Sequence, residues 1–179
     1  KKNIILIDRD GVLNLKNPNH RYIKNVSELK MNSKIISLLK KFKKISYICI
    51  TNQAGIATKD VKQNDLTKIN LQIQKKLYEN GIILREFFIS KHHFNSNNFH
   101  RKPNPGNFLK IDKKYKILLD KTFYIGDDPR DVIASYNANT KCVYVGDKKK
   151  LKTKTNKYLQ NTLLENLKKS LYLKEMSNY

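Results

Sequence analysis

Apolar residues fall into two patterns along this chain. Short runs at Ile4–Ile7, Ile45–Thr51, Ile82–Ile89, Thr122–Ile125 and Lys141–Val145 have strand length and are rich in β-branched or aromatic residues. Between them the apolar positions recur at helical spacing. Ile35, Ile36, Leu38, Leu39 and Phe42 predict a helix from Asn32 or Ser33 to about Lys43, and Leu66, Ile69, Ile73 and Leu77 predict one from Asp65 to Asn80, stopped by Gly81. Asn104-Pro105 starts a third helix reaching about Leu118, and Pro129 opens a fourth running to about Asn139. Strands alternating with helices over short links predict an α/β three-layer sandwich around a mainly parallel, Rossmann-like sheet. The run Ile4-Ile5-Leu6-Ile7 has no polar alternation, so both of its faces should be covered.

Polar clusters follow the strands. Asp8-Arg9-Asp10-Gly11 follows the first, Thr51-Asn52-Gln53-Ala54-Gly55 closes the second, and Gly126-Asp127-Asp128 follows the fourth. Ligands of open parallel sheets bind beyond the carboxyl ends of the strands, so Asp8, Asp10, Thr51, Asn52, Lys102, Asp127 and Asp128 are expected on one edge. Carboxylates facing one another from two strand ends repel unless a cation lies between them, and a few hard oxygen ligands suit Mg²⁺. A hydroxyl, an amide and a lysine beside them are the donors a phosphoryl group needs. Each residue also has a plainer reading. Asp128 before Pro129 is a natural helix N-cap, Asp131 complements a helix dipole, Thr51 can end a strand, and Lys102 is one lysine among many.

Composition narrows the class. The chain has 179 residues, enough for one domain, with 1–147 expected as the core and 148–179 as a lysine-rich helical tail in which Tyr158, Leu159, Leu163, Leu164, Leu167 and Leu171 mark an apolar face. No apolar run approaches the ~20 residues that span a bilayer, and the first residues do not resemble a secretory signal, so a cytoplasmic protein without membrane association is expected. Cys49 and Cys142 lie in apolar strands and read as inert, buried thiols. The net charge is +22, which raises a nucleic-acid-binding or end-processing function as a different class. Against that reading, arginines are few (Arg9, Arg21, Arg85, Arg101, Arg130) and lysines are spread over nearly every element. No specific nucleic-acid partner is expected. The field is instead compatible with an anionic small substrate.

Four stretches taken in order, Asp8 to Asn14, Thr51 to Ala57, Arg101 to Gly106 and Gly126 through Asp131, resemble the motifs of the haloacid dehalogenase superfamily. Within it they resemble the branch of D,D-heptose 1,7-bisphosphate and histidinol-phosphate phosphatases, over residues 4 to about 146. The resemblance implies a phosphatase without a large cap domain, acting on a small phosphorylated metabolite such as a heptose phosphate or bisphosphate of surface-carbohydrate synthesis. Histidinol phosphate or an amino-alcohol phosphate is the alternative, and the protein would be a monomer or small homo-oligomer. It implies that Asp8 attacks phosphorus, that Asp10 carries the proton, and that Thr51 and Lys102 hold the phosphoryl oxygens. Mg²⁺ would be bound by Asp8, the Asp10 carbonyl and Asp127, with Asp128 a further candidate. Arg9, Asn14, His20, Asn52 and Arg101 would contact phosphate or substrate. The segment 14–25 and the loop 90–100 would set specificity.

The chain departs from that branch in one loop. That branch commonly holds zinc there with three cysteines and a histidine; all three cysteine positions are replaced here, leaving Ser90-Lys91-His92-His93 and Asn98-Phe99-His100. Without thiolates a closed tetrahedral site lacks ligands, so zinc is not expected. Ala57-Thr58-Lys59 also replaces a usual Ala-Arg-Gly, removing an arginine that a second phosphate could meet.

Overall fold

A computed structural model describes residues 3–42 and 44–152. Its five strands, β1 (Ile4–Ile7), β2 (Ser46–Asn52), β3 (Ile83–Ser90), β4 (Phe123–Gly126) and β5 (Lys141–Tyr144), form one parallel sheet in the order β3-β2-β1-β4-β5. Four helices connect them: α1 (Ser33–Leu39), α2 (Gln63–Glu79), α3 (Gly106–Tyr115) and α4 (Pro129–Asn137). The expected tail helix falls largely on residues 153–179, outside the described ones.

The uninterrupted apolar strands are explained by a sheet covered on both faces. Ile7, Tyr47 and Cys49 pack with Ile36, Leu39, Ile69, Ile73 and Leu77 from α1 and α2, while Ile4, Leu6, Ile48 and Ile50 pack with Phe108, Ile111 and Ala134 from α3 and α4. Alternate residues of β1 and β2 therefore enter different cores. Each buried Leu or Ile on α2 contributes roughly 1.5–3 kcal/mol, which orders this helix against the sheet. The strand order reverses between β1 and β4, so the crevice of the sheet opens at their carboxyl ends, where Asp8 and Asp127 stand.

Helix ends differ from the expectation for identifiable reasons. The first helix stops at Leu39 rather than Lys43, because the residues beyond it are mostly lysines with no core to enter. The second starts at Gln63, so Asp65 is a first-turn acid and not its cap. The third starts at Gly106 with Pro105 as its N-cap, and the Asn104 side chain is turned to the preceding loop, its Nδ2 donating to the carbonyls of Asn97 and Asn98. It ends at Tyr115, where Lys116 turns left-handed.

Candidate active site

The loop after β1 is wound back on itself. The Arg9 carbonyl accepts the Leu13 and Asn14 N–H groups, and Gly11 takes a φ of +93° at the turn. A side chain at Gly11 would collide with Asp127, so glycine is required both by the dihedral and by the close approach of β4. This turn holds Asp8 at the floor of a cleft of about 320 Å³, lined by Asp10, Lys16, Thr51, Asn52, Lys102 and Asp127 among others. The residues expected on one edge of the sheet do meet there.

Lys102 is the centre of the site, although it comes from a loop far along the chain. It is 4 % exposed, and its Nζ lies 2.9 Å from Asp8 Oδ1 and 2.7 Å from Asp131 Oδ1, with further bonds to the Tyr124 hydroxyl and the Ile50 carbonyl. Burial works against its charge, but Asp131 and Asp8 outweigh it and keep its pKa above that of an ordinary lysine. Asn52 fixes the loop by a two-point clamp: its Nδ2 donates to the Lys102 carbonyl at 2.9 Å, and its Oδ1 accepts the Lys102 N–H at 3.1 Å.

The acids have distinct environments. Burial pushes the Asp8 carboxyl up to about 7, with Asp131 and Asp127 adding to the rise and Lys102 opposing it. Burial also works to raise Asp10, yet the Arg9 guanidinium, helped by Asn14 and Gln53, holds it below the usual carboxylate range. Burial raises Asp127, partly offset by the Lys16 ammonium on its Oδ2. The other oxygen of Asp127 is buried with no hydrogen-bond partner among the described residues. Ligand atoms of Asp8, Asp127 and Asp131 lie within 4.8 Å of one another. Both oxygens of Asp131 are engaged, however: Oδ1 by Lys102 and Tyr124, Oδ2 by the N–H groups of Asp127 and Asp128. Asp8 Oδ1 is likewise taken by Lys102 and the Arg9 N–H, and Asp127 Oδ2 by Lys16, so the oxygens open to a cation are Asp8 Oδ2 and Asp127 Oδ1.

Several expected contacts point elsewhere. Asp128, a candidate metal ligand, is instead the N-cap of α4, where its Oδ1 accepts the Arg130 N–H at 3.0 Å and its carboxylate pairs with the Arg130 guanidinium. Arg9 and Asn14, candidates for phosphate contact, are fully buried and turned to Asp10. His20 and Arg101 do line the cleft. Arg101 opens with Arg21 and Arg130 onto an adjoining chamber of about 400 Å³, and burial together with the Arg130 charge lowers its pKa. The loop 90–100 is held by asparagines: Asn104 on Asn97 and Asn98, and Asn107 on the His100 carbonyl at 2.9 Å. Among the described residues, its histidines form no group of three with convergent ligand atoms.

Sequence reasoning missed Asp131 as the anchor of Lys102, and Gln53 and Tyr124 altogether. A helix N3 acid looks the same in sequence whether or not a buried lysine meets it, so Asp131 carried no distinguishing signal.

The family model for haloacid dehalogenase-like hydrolases matches residues 7–145. A D-glycero-beta-D-manno-heptose-1,7-bisphosphate 7-phosphatase of Helicobacter pylori is 31 % identical over 140 residues, covering 76 % of this chain and 79 % of that protein. The enzyme of the same name from Pasteurella multocida is 26 % identical over 174 residues, 93 % of each chain. Among solved structures, D,D-heptose 1,7-bisphosphate phosphatase from B. bronchiseptica, complexed with magnesium and phosphate, has a TM-score of 0.78 at 24 % identity, covering 85 % of this chain and 86 % of its own; that likeness shows the shared fold.

Proposed function

This chain belongs to the haloacid dehalogenase-like hydrolase family and is a phosphoric monoester hydrolase, and we propose that it is a magnesium-dependent phosphatase of a small phosphorylated sugar, with a heptose phosphate or bisphosphate as the favoured class. The observation that carries this reading is Asp8, buried at a strand end, paired with Lys102 at 2.9 Å and facing an Asp127 oxygen that has no partner among the described residues. Such an orphaned carboxylate oxygen is costly unless a cation meets it, so the residues fit a hard divalent ion held by Asp8, Asp127 and the Asp10 carbonyl. Bound there, magnesium would supply positive charge to the phosphoryl oxygens.

Asp8 attacks phosphorus, and the bond to the leaving oxygen breaks as an acyl phosphate forms on Asp8. Asp10, which Arg9, Asn14 and Gln53 keep ionised in the free site, takes a proton from the bound phosphate monoester monoanion and passes it to that oxygen. It then takes a proton from a water, which attacks the phosphoryl group and returns Asp8 as a carboxylate. The Lys102 ammonium and the Thr51 hydroxyl hold the phosphoryl oxygens. The names of the relatives support the sugar class. So do Arg21 and Arg101 at the mouth, which favour an anionic leaving group over the cationic one of an amino alcohol, whereas Lys16 and Arg130 are held by Asp127 and Asp128.

The test is phosphate release from a panel of phosphorylated sugars and amino alcohols with Mg²⁺. Sugar phosphates are expected to lead, and Asp8→Asn is expected to abolish turnover while the circular dichroism of the fold is retained. Turnover by Asp8→Asn would remove it as nucleophile; preference for amino-alcohol phosphates would transfer the assignment to that class.

A further inference from the structure

Gln53 lies just past the end of β2, is 2 % exposed, and belongs to no expected contact. Its amide orientation is dictated by its neighbours. The Oε1 accepts from Arg9 Nη2 at 3.0 Å, while Nε2 donates to Asp10 Oδ2 at 2.7 Å and to Thr51 Oγ1 at 2.8 Å. The reverse assignment would set a carbonyl against a carboxylate and an amine against a guanidinium. Arg9, fully buried, grips both Asp10 oxygens through Nη2 at 2.9 and 3.0 Å and through Nε at 3.1 Å. Its remaining nitrogen is held from α2 by Asn70 Oδ1 at 3.1 Å.

We propose that Gln53 and Arg9 form a positioning couple that sets the Asp10 carboxylate and the Thr51 hydroxyl relative to each other. The inference rests on the reading of Asp10 as proton carrier and Thr51 as phosphoryl donor. Neither residue lines the cleft, so both act through the groups they hold. The Gln53 amide occupies a lone pair of Thr51, which directs the hydroxyl proton away from it and leaves that proton to donate toward the phosphoryl group. The Arg9 fork fixes the plane of Asp10, and Asn70 braces the fork from the helix layer. One amide thus couples the residue that moves the proton to the residue that receives the phosphate.

Gln53→Met removes both donor bonds at similar volume. Its kcat on an alkyl phosphate is expected to fall about 30- to 100-fold, because an alkoxide leaving group needs a well-placed acid. On p-nitrophenyl phosphate, whose leaving group needs little protonation, the fall should be smaller, shifting the aryl-to-alkyl rate ratio about tenfold. Inhibition by inorganic phosphate should weaken several-fold through Thr51. Equal loss on both esters, or parent values throughout, would overturn the proposal. Should Gln53→Met fail to fold, Asn70→Leu, which releases only the brace, decides: the same shift of ratio by about three- to tenfold supports the couple, and a parent ratio overturns it. Asp10→Asn separates the two layers of the argument. If that variant hydrolyses alkyl esters like the parent, the reading of Asp10 is wrong; if it is inactive while Gln53→Met is unchanged, the positioning role alone falls.

Discussion

At the scale of single residues, the site is governed by how one buried cation is shared. Lys102 neutralises Asp8 and Asp131 together, so removing it leaves two carboxylates buried and unpaired. Breaking a buried pair from one side typically costs about 3–5 kcal/mol, and Lys102→Met is expected to lose about that much stability in urea unfolding along with its phosphatase activity. A lysine serving only the phosphate would leave stability unchanged. The cysteines give a second residue-scale prediction. Burial pushes the Cys142 thiol up to about 12 and Cys49 well above its usual value, so native protein at neutral pH should resist alkylation at both thiols and react at both once unfolded, counted by mass spectrometry. In sequence, Asp8, Asp10 and Asp127 were legible because strand end, turn and motif agree at each, whereas Thr51 and Lys102 were singled out by the motif resemblance alone. Asp131, Tyr124 and Gln53 were not, because their roles exist only where the loop of Lys102 and the ends of β2 and β4 come together.

At the scale of elements, the strands and α2 could be read closely because apolar runs and a helical stripe dominate them, whereas helix ends depended on competition for side chains. Asn104 is turned toward the loop carbonyls instead of the helix, while Asp128 kept its capping role. The start of α4 is the most constrained end: Asp131 completes a capping box with Asp128, and Gly126 leaves the room that Asp131 fills. The division of labour between adjacent acids makes a prediction. Asp128→Ala should cost about 1 kcal/mol of stability, the usual worth of an N-cap, with magnesium affinity by calorimetry changed little. Asp127→Asn should abolish measurable magnesium binding. Magnesium affinity lost in Asp128→Ala would restore Asp128 to the metal site.

At the scale of the molecule, a charge of +22 acts on any anion approaching the cleft. If the field steers a doubly charged phosphate ester, kcat/KM should fall as salt screens it, most steeply while the Debye length, about 10 Å at 0.1 M, still exceeds contact distance. The fall belongs in KM, because chemistry after binding occurs among groups that solvent ions do not reach. Global and local charge can be separated by position. Arg21 lines the cleft, whereas Lys75 is exposed near the end of α2, which returns to the start of β3 at the opposite edge of the sheet. Arg21→Gln should raise KM and flatten its dependence on salt; Lys75→Gln should leave both within error. Equal effects would mean that the whole surface charge draws the substrate in, and a KM indifferent to salt in the parent would mean that the lysines serve no part in capture.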